Sequence, residues 1–449
     1  MWNLERAAHV LGAELRGRPE QVFSDVSTDG RRLSAGALFV ALRGPRFDAH
    51  DYLEQAAAAG AVAAVVERAQ DTALAQLVVP DTLKALQTLA QAWREQFSLP
   101  LVAITGSNGK TTVKEMTATI LARRGAVLYT EGNLNNDIGV PLTLLRLRRT
   151  HRYAVIELGA NHPGEIARLT RLALPDAALI TNAGPAHLEG FGSIEGVAQA
   201  KAEIYEGLPA RGTAIVNHDD RYSGLWRRLN AGRRMLTFGL NEGADVTASW
   251  RAVDEGSRVN LRTPAGHVEL TLPLAGRHNV MNMLAATCAA LAVGATLDDV
   301  RHGLEGLQGV RGRLQQRRGH RGARLIDDTY NANPASLQAA LEVLAQRPGR
   351  RFLALGDMGE LGPEAEALHV QAAQAARNQG VERLYAVGRH TEAAARAFGT
   401  GGRHFASVEA LAEALRAALA PEVTVLVKGS RSMAMERVVE ALLPEGEAR

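Results

Sequence analysis

The segment that most constrains this chain is Thr105-Gly106-Ser107-Asn108-Gly109-Lys110-Thr111-Thr112, set between an apolar run at 101–105 and a helical pattern from Val113. A strand, a glycine-bearing turn and a helix, in that order, aim successive backbone N–H groups and a helix N-terminus at one point, which makes an anion-binding nest. Gly106 and Gly109 let the backbone wrap closely, Lys110 can reach terminal phosphates, and the Thr111 hydroxyl suits Mg²⁺. Ile104 stands where the full Walker pattern has its first glycine. The shorter Thr-Gly-x-x-Gly-Lys-Thr form still meets the physical requirement. A loop of this kind belongs at the C-terminal end of a parallel strand, so an α/β fold is expected.

The rest of the chain supports that expectation. Apolar runs at 154–158, 177–181 and 213–217 alternate with helical segments at 113–123, 164–173 and 196–208. This order predicts a mainly parallel sheet with right-handed crossovers. Glu157 ends one of these runs, where a carboxylate faces the ligand crevice, and is expected to hold Mg²⁺ as a Walker-B acid does. Residues 246–272 read as antiparallel strands, followed by a helix at 280–293. From Leu325 strands at 351–355, 383–387 and 424–427 form a Rossmann-like unit without a Gly-x-Gly-x-x-Gly fingerprint after its first strand. Ahead of the loop, residues 1–82 form a small α/β unit. Leu83, Leu86, Leu89, Ala90 and Trp93 then recur at helical spacing behind a Pro-Asp-Thr start. The predicted domains are 1–82, 83–311 with 83–97 as a linker helix, and 312–449. The Gly- and Arg-rich stretch 309–324 reads as a solvated hinge with one phosphate-facing arginine.

Composition excludes several classes. Apolar residues make up 46% and charged residues 22%, with a net charge of +3, which argues against a disordered protein and against a general nucleic-acid binder. No apolar run reaches the roughly 20 residues of a membrane helix, and the N-terminus lacks a signal-peptide pattern. The single cysteine, Cys288, points to a reducing, cytoplasmic compartment. Of 51 basic residues only five are lysines: Lys84, Lys110, Lys114, Lys201 and Lys428. Arginine and lysine are not interchangeable, so each lysine invites a chemical reason. Lys84 on the linker helix and Lys114, one turn past the loop, offer none at this level.

Several further segments accompany the loop: Asn133-Leu134-Asn135-Asn136-Asp137-Ile138-Gly139-Val140-Pro141, Glu157-Leu158-Gly159-Ala160, Asn182-Ala183-Gly184-Pro185-Ala186-His187-Leu188 and Lys201-Ala202-Glu203-Ile204. The C-terminal half adds Gly276-Arg277-His278-Asn279, Asp328-Thr329-Tyr330-Asn331-Ala332-Asn333-Pro334, Gly356-Asp357-Met358-Gly359-Glu360-Leu361-Gly362 and Val427-Lys428-Gly429-Ser430-Arg431-Ser432. In content and order these motifs resemble the Mur ligases, over nearly the whole chain.

The resemblance implies three domains: a small α/β UDP-binding domain, a central phosphate-loop ATPase domain and a C-terminal Rossmann-like domain. It implies ATP-dependent ligation through an acyl phosphate, with UDP-N-acetylmuramoyl-tripeptide and D-alanyl-D-alanine as substrates. Two Mg²⁺ sites are expected, the first at Thr111 and Glu157, the second at His187 and Lys201. In the family the lysine matching Lys201 is carbamylated, which arginine cannot be. Asn279 and Asn282 match adenine contacts, although Asn279 at a helix start could equally be a cap. Arg313 matches a phosphate contact and Asp328 a ribose contact, both reaching the nucleotide only when the third domain closes. Asn135 and Asn136 fit the region of the transferred phosphate. Ser27, Thr28, Asp29, Arg31, Arg43 and Asp48 match the uridine-nucleotide unit. Ser430 and the cations Lys428 and Arg431 would surround the dipeptide, either cation meeting its carboxylate. A monomer without nucleic-acid or membrane partners is expected. The nearest alternative within the family, the ligase that adds a single amino acid as third residue, carries an Asp-Asn-Pro-Arg signature that is absent here. Folylpolyglutamate synthetases would not explain the first domain, and a phosphate-loop switch or kinase would need neither Lys201 nor a third domain.

Overall fold

The computed structural model describes residues 1–31, 33–45, 47–185, 188–254 and 256–444, without the side chains of 188 and 189. Its first sheet runs Glu14–Arg16, Ala75–Val78, Ala63–Val66, Ala37–Val40, Asp25–Ser27, with only the first strand antiparallel. The inner strands Ala37–Val40 and Ala63–Val66 are buried throughout, as expected for strands covered on both faces.

The linker helix Thr82–Arg94 is capped by the Asp81 carboxylate, which accepts from Lys84 N at 2.9 Å. Its apolar stripe buries Leu86, Leu89, Ala90 and Trp93. Trp93 packs edge-on against Trp2 and Phe97 and donates from Nε1 to Leu147 O at 3.1 Å. Arg94 is buried and donates to Ala173 O at 2.9 Å and Leu174 O at 3.1 Å, at the carbonyl end of the helix Glu165–Ala173. A cation at the negative end of a helix is favourable. One apolar cluster therefore runs from Trp2 through the linker to Trp226.

The central sheet is parallel throughout, in the order Arg234–Phe238, Thr213–Asn217, Ala177–Ile180, Leu101–Thr105, Tyr153–Glu157, Val127–Tyr129. Leu101–Thr105 lies inside it, with later strands added on both sides. That change of direction opens a crevice at the strands' C-terminal ends, where the phosphate loop sits. The antiparallel strands Thr247–Val253, Gly256–Thr263 and Gly266–Leu272 follow, then the buried helix Arg277–Ala292, which holds Cys288.

The last sheet runs Gln315–Arg318, Arg324–Asp328, Val423–Lys428, Arg350–Gly356, Arg383–Val387, Gly402–Phe405, antiparallel only at its first strand. Apolar clusters cover its two faces. The stretch 309–324 is therefore more than a solvated hinge. Gln315–Arg318 is an edge strand whose polar residues alternate between half-buried and exposed, so no apolar period announces it.

Candidate active site

The phosphate loop leaves Leu101–Thr105 and enters the helix Lys110–Ala122. Gly106 at φ +145° and Gly109 at φ +83° require glycine, because a Cβ would overlap Thr181 Oγ1 at the first and Asn282 Oδ1 at the second. A neighbouring loop fixes the curve. Asn182 Oδ1 accepts from Asn108 N at 3.0 Å, and its Nδ2 donates to Asn108 O at 3.0 Å. Thr181 Oγ1 donates to Asn108 O at 2.6 Å, while Ser107 Oγ exchanges hydrogen bonds with Gly184. Sequence reasoning gave Thr181 no role and quoted Asn182 only within a motif, without one; the strand order makes both neighbours of the loop. Lys110 Nζ donates to Gly106 O at 2.7 Å. Burial lowers its pKa, Glu157 opposes that shift and Arg313 adds to it.

Thr111 and Glu157 meet as expected: Thr111 Oγ1 donates to Glu157 Oε2 at 3.0 Å. Asn135 Nδ2 donates to Glu157 Oε1 at 2.8 Å, so Asn135 orients the carboxylate. Asn136 instead accepts from Ile138 N and Gly139 N, at 3.3 and 2.9 Å, at the start of the helix Gly139–Leu145. An alcohol, a carboxylate and space for phosphate oxygens make an all-oxygen set, which suits Mg²⁺ better than softer metals. Arg313 lines the cavity described next, and its buried Nε has no hydrogen-bond partner among the described residues. The residues present fit Mg²⁺ and a nucleoside phosphate.

The C-terminal domain closes over this loop. Arg313 Nη2 donates to Thr111 Oγ1 at 2.8 Å, and the guanidinium lies 4.2 Å from the centre of the Tyr330 ring. Asn333 Nδ2 donates to Asn108 Oδ1 at 2.8 Å. Between the domains is a cavity of about 1650 Å³ lined by residues 107–112, Asn135, Asn136, Glu157, Asn279, Asn282, Arg313, Asp328, Lys428 and Arg431, among others. Asn279 is not a cap: Gly276 takes that place, and Asn279 Nδ2 donates back to Ala275 O at 2.8 Å. Asn282 lies against Gly109. Burial, with Lys428 nearby, lowers the pKa of His278 to about 4, so the ring is neutral at pH 7.

Lys428 and Asp328, expected at different ligands, are partners. Lys428 Nζ donates to Asp328 Oδ2 at 2.5 Å and to Asn331 O at 2.8 Å. Burial raises the Asp328 pKa against the pull of Lys428. Asp328 Oδ1 also accepts from Leu314 N at 3.2 Å, next to Arg313. Arg431 pairs with Glu436 at 3.0 Å, and Ser430 N donates to Asp357 O at 2.9 Å. The three residues expected around a dipeptide thus each have other partners here.

Lys201 is 1% exposed. Burial, and then Lys110, lowers its pKa to about 7. Its ammonium lies 5.4 Å from the centre of the Phe191 ring. Glu203, a candidate ion-pair partner, instead accepts from Gly164 N at 2.7 Å and Ala167 N at 3.1 Å, capping the helix Glu165–Ala173. His187 lies outside the described residues. Among the described residues no group of three or more His, Cys, Asp or Glu gathers to hold a metal.

In the N-terminal domain, Asp29 binds Arg31 through both carboxylate oxygens, at 2.9 and 3.1 Å, and donates from its N–H to Ser27 Oγ at 3.1 Å. Thr28 is half-buried beside them. Asp48 accepts from His50 N at 3.0 Å, pairs with His50 Nδ1 at 2.6 Å, and meets Arg43 at 3.3 Å and Arg68 at 3.4 Å. Asp29 and Asp48 therefore hold arginines in place. Arg68, which no sequence motif marks, joins Arg43 there.

Profiles of three Mur ligase regions match the chain: the Mur ligase family catalytic domain at 23–94, the Mur ligase middle domain at 104–290 and the Mur ligase glutamate ligase domain at 312–431. The chain is 49% identical over 447 residues to the UDP-N-acetylmuramoyl-tripeptide–D-alanyl-D-alanine ligase of Escherichia coli K12, covering 99% of this chain and 98% of that one. The chain belongs to the Mur ligase family. A crystal structure of MurF from Acinetobacter baumannii superimposes with a TM-score of 0.92 at 39% identity, over 98% of both chains. The MurF ligase of Thermotoga maritima, solved with ADP, has a TM-score of 0.83 at 30% identity, over 93% of this chain and 96% of that one. As a Mur ligase, this chain has the three-part α/β architecture that the motif order implied.

Proposed function

We propose that this Mur ligase joins D-alanyl-D-alanine to UDP-N-acetylmuramoyl-tripeptide at the expense of ATP, giving the pentapeptide precursor of peptidoglycan, ADP and phosphate. The convergence of two domains on one hydroxyl carries the reading: Arg313 and Glu157 both bind Thr111, at 2.8 and 3.0 Å.

The chemical problem is the approach of a carboxylate to a polyanion. The loop N–H groups at 106–112 and Lys110 cradle the phosphates, and Arg313 neutralises charge on the transferred group. The substrate carboxylate takes the γ-phosphoryl group with release of ADP. The dipeptide amine then attacks the acyl phosphate, and phosphate leaves. Thr111 and Glu157 would hold one Mg²⁺, with His187 and Lys201 at a second. Bound there, Mg²⁺ supplies charge neutralisation and in-line alignment. A lysine with a pKa of about 7 is a large part neutral at physiological pH. Its amine can therefore form a bond to CO₂ with loss of a proton, giving a carbamate oxygen donor. Asn279 and Asn282 would contact adenine, and Asp328 would contact ribose. Ser27, Thr28, Asp29, Arg31, Arg43 and Asp48 would form the uridine-nucleotide unit. Lys428, Ser430 and Arg431 are assigned to the dipeptide side. Domains at 1–82, 83–311 and 312–449, a monomer, and the cytoplasm complete the reading. Among the described residues no helix is long and apolar enough to cross a membrane.

Phosphate release measured against each substrate tests this. It should require ATP, UDP-MurNAc-tripeptide and D-alanyl-D-alanine together. Equal turnover with a single amino acid in place of the dipeptide would refute it.

A further inference from the structure

Three of the four lysines other than Lys84 have a role in the site already described; Lys114 does not. It lies one helical turn past Thr111 on Lys110–Ala122, so both side chains leave the same flank of the helix. Lys114 is 1% exposed. Its Nζ donates to Thr130 O at 2.5 Å, pairs with Glu115 at 3.0 Å and lies 5.6 Å from the centre of the Tyr129 ring. Lysine is rarely buried so fully without a specific partner, and this chain otherwise writes arginine for positive charge.

Thr130 is the root of the loop 130–136. It is fully buried, its N–H donates to Val155 O at 3.1 Å, and its Oγ1 accepts from Glu157 N at 2.9 Å. Near the far end of the loop, Asn135 Nδ2 reaches Glu157 Oε1 at 2.8 Å, and Asn135 O accepts from Gly159 N at 2.7 Å. The loop is therefore fastened at both ends around Glu157. Lys114 ties the root of that loop to the helix that carries Thr111.

We propose that Lys114 is a positioning residue for the metal site. It holds Thr130 against the Glu157 backbone and so fixes where the Glu157 carboxylate meets Thr111. Lys114 borders the same cavity but acts through Thr130 and Glu157 rather than on the reacting atoms. The inference rests on the assignment of Thr111 and Glu157 to Mg²⁺.

Calorimetry on the full chain, titrating ADP with and without excess Mg²⁺, tests it without turnover. Lys114→Met should weaken binding in Mg²⁺ by about tenfold, as loss of an outer contact to a metal ligand does, and leave metal-free ADP binding within about twofold. Thr130→Val, which keeps the shape and removes the hydroxyl, should do the same. The double variant should be no worse than either single, because the two act on one path. Glu115→Gln should bind as the parent does, since the Lys114–Thr130 bond survives it. The proposal is overturned if Lys114→Met binds within twofold of the parent in Mg²⁺, or if it weakens ADP equally with and without metal. If Lys114→Met does not fold, Lys114→Gln, which removes the cation and shortens the reach to Thr130 O, decides on the same criterion. Glu157→Gln separates the two levels. If Glu157→Gln keeps the metal-dependent gain, the metal assignment itself fails. If it loses the gain while Lys114→Met keeps it, only the role of Lys114 fails.

Discussion

Arg313 and Thr111 stand 202 positions apart in the chain, yet the guanidinium donates to the hydroxyl at 2.8 Å. A hydroxyl has one proton to give, and Thr111 gives it to Glu157. Arg313 therefore takes a lone pair that Mg²⁺ would use. With nucleotide bound, the guanidinium has a stronger acceptor close by, since phosphate oxygens accept charge-assisted bonds better than a neutral hydroxyl. The C-terminal domain is thus already closed on the phosphate loop, with its arginine lining the cavity proposed to take the nucleotide.

Arg313→Ala should therefore act on the chemical step. In steady-state phosphate release with all three substrates, kcat should fall about 10³-fold, as when a phosphoryl-transfer arginine is lost, with the ATP KM much less affected. A change in KM alone would mean that Arg313 binds nucleotide in the ground state and does nothing further.

Lys201→Met should separate stability from function. The folded state holds the Lys201 proton less tightly than the unfolded chain, because burial lowers its pKa to about 7. The unfolded chain then binds more protons between about pH 7 and the usual lysine value near 10.5, so this group makes stability rise with pH across that window. Below about pH 7 its full cost is present. In CO₂-free buffer, Lys201→Met should melt above the parent at pH 6, the gap narrowing toward pH 9, while ligation is lost at every pH. Equal melting temperatures at pH 6 would remove the buried-cation account.

The parts of the site that are contiguous along the chain are legible in the amino-acid sequence alone. The loop 105–112 and Glu157 at a strand end are local patterns whose chemistry follows from spacing. Lys114 is not legible in this way, because its helical position gives no sign of burial; it depends on Thr130 crossing from another strand. Its one available signal is lysine scarcity, since Lys84 alone of the five lysines is exposed. The pairing of Lys428 with Asp328 joins two strands 100 positions apart, and nothing local to either residue encodes it. The edge strand Gln315–Arg318 is hidden by its polarity. Arg94 looks like an ordinary helix-end arginine, yet it is buried in the carbonyl end of another helix.

Lys428→Met should destabilise the C-terminal domain by leaving Asp328 buried without its cation. Breaking a buried pair from one side costs about 3–5 kcal/mol. Adding Asp328→Asn should recover a good part of that loss, because no uncompensated charge is left behind. Thermal or denaturant unfolding of the two variants checks this. A double variant no more stable than Lys428→Met would show that the loss came from packing rather than from the stranded carboxylate.

Asn333 serves two domains with one amide. Its Oδ1 accepts from Ser336 N at 2.8 Å, capping the helix Pro334–Ala345, while its Nδ2 donates to Asn108 Oδ1 at 2.8 Å on the phosphate loop. Asn333→Asp keeps the first role and reverses the second, since aspartate is as good a cap as asparagine but sets a carboxylate oxygen against the Asn108 oxygen. The melting temperature should stay near that of the parent, while the solution scattering profile without nucleotide should shift toward a more extended particle. Asn333→Ala removes both bonds and should also lose about 1 kcal/mol of stability from the missing cap. If Asn333→Asp scatters as the parent does, the Asn333–Asn108 bond does not hold the domains together, and the other contacts between them, among them Arg313 on Thr111 and Arg347 on Asp254 O at 2.7 Å, carry closure.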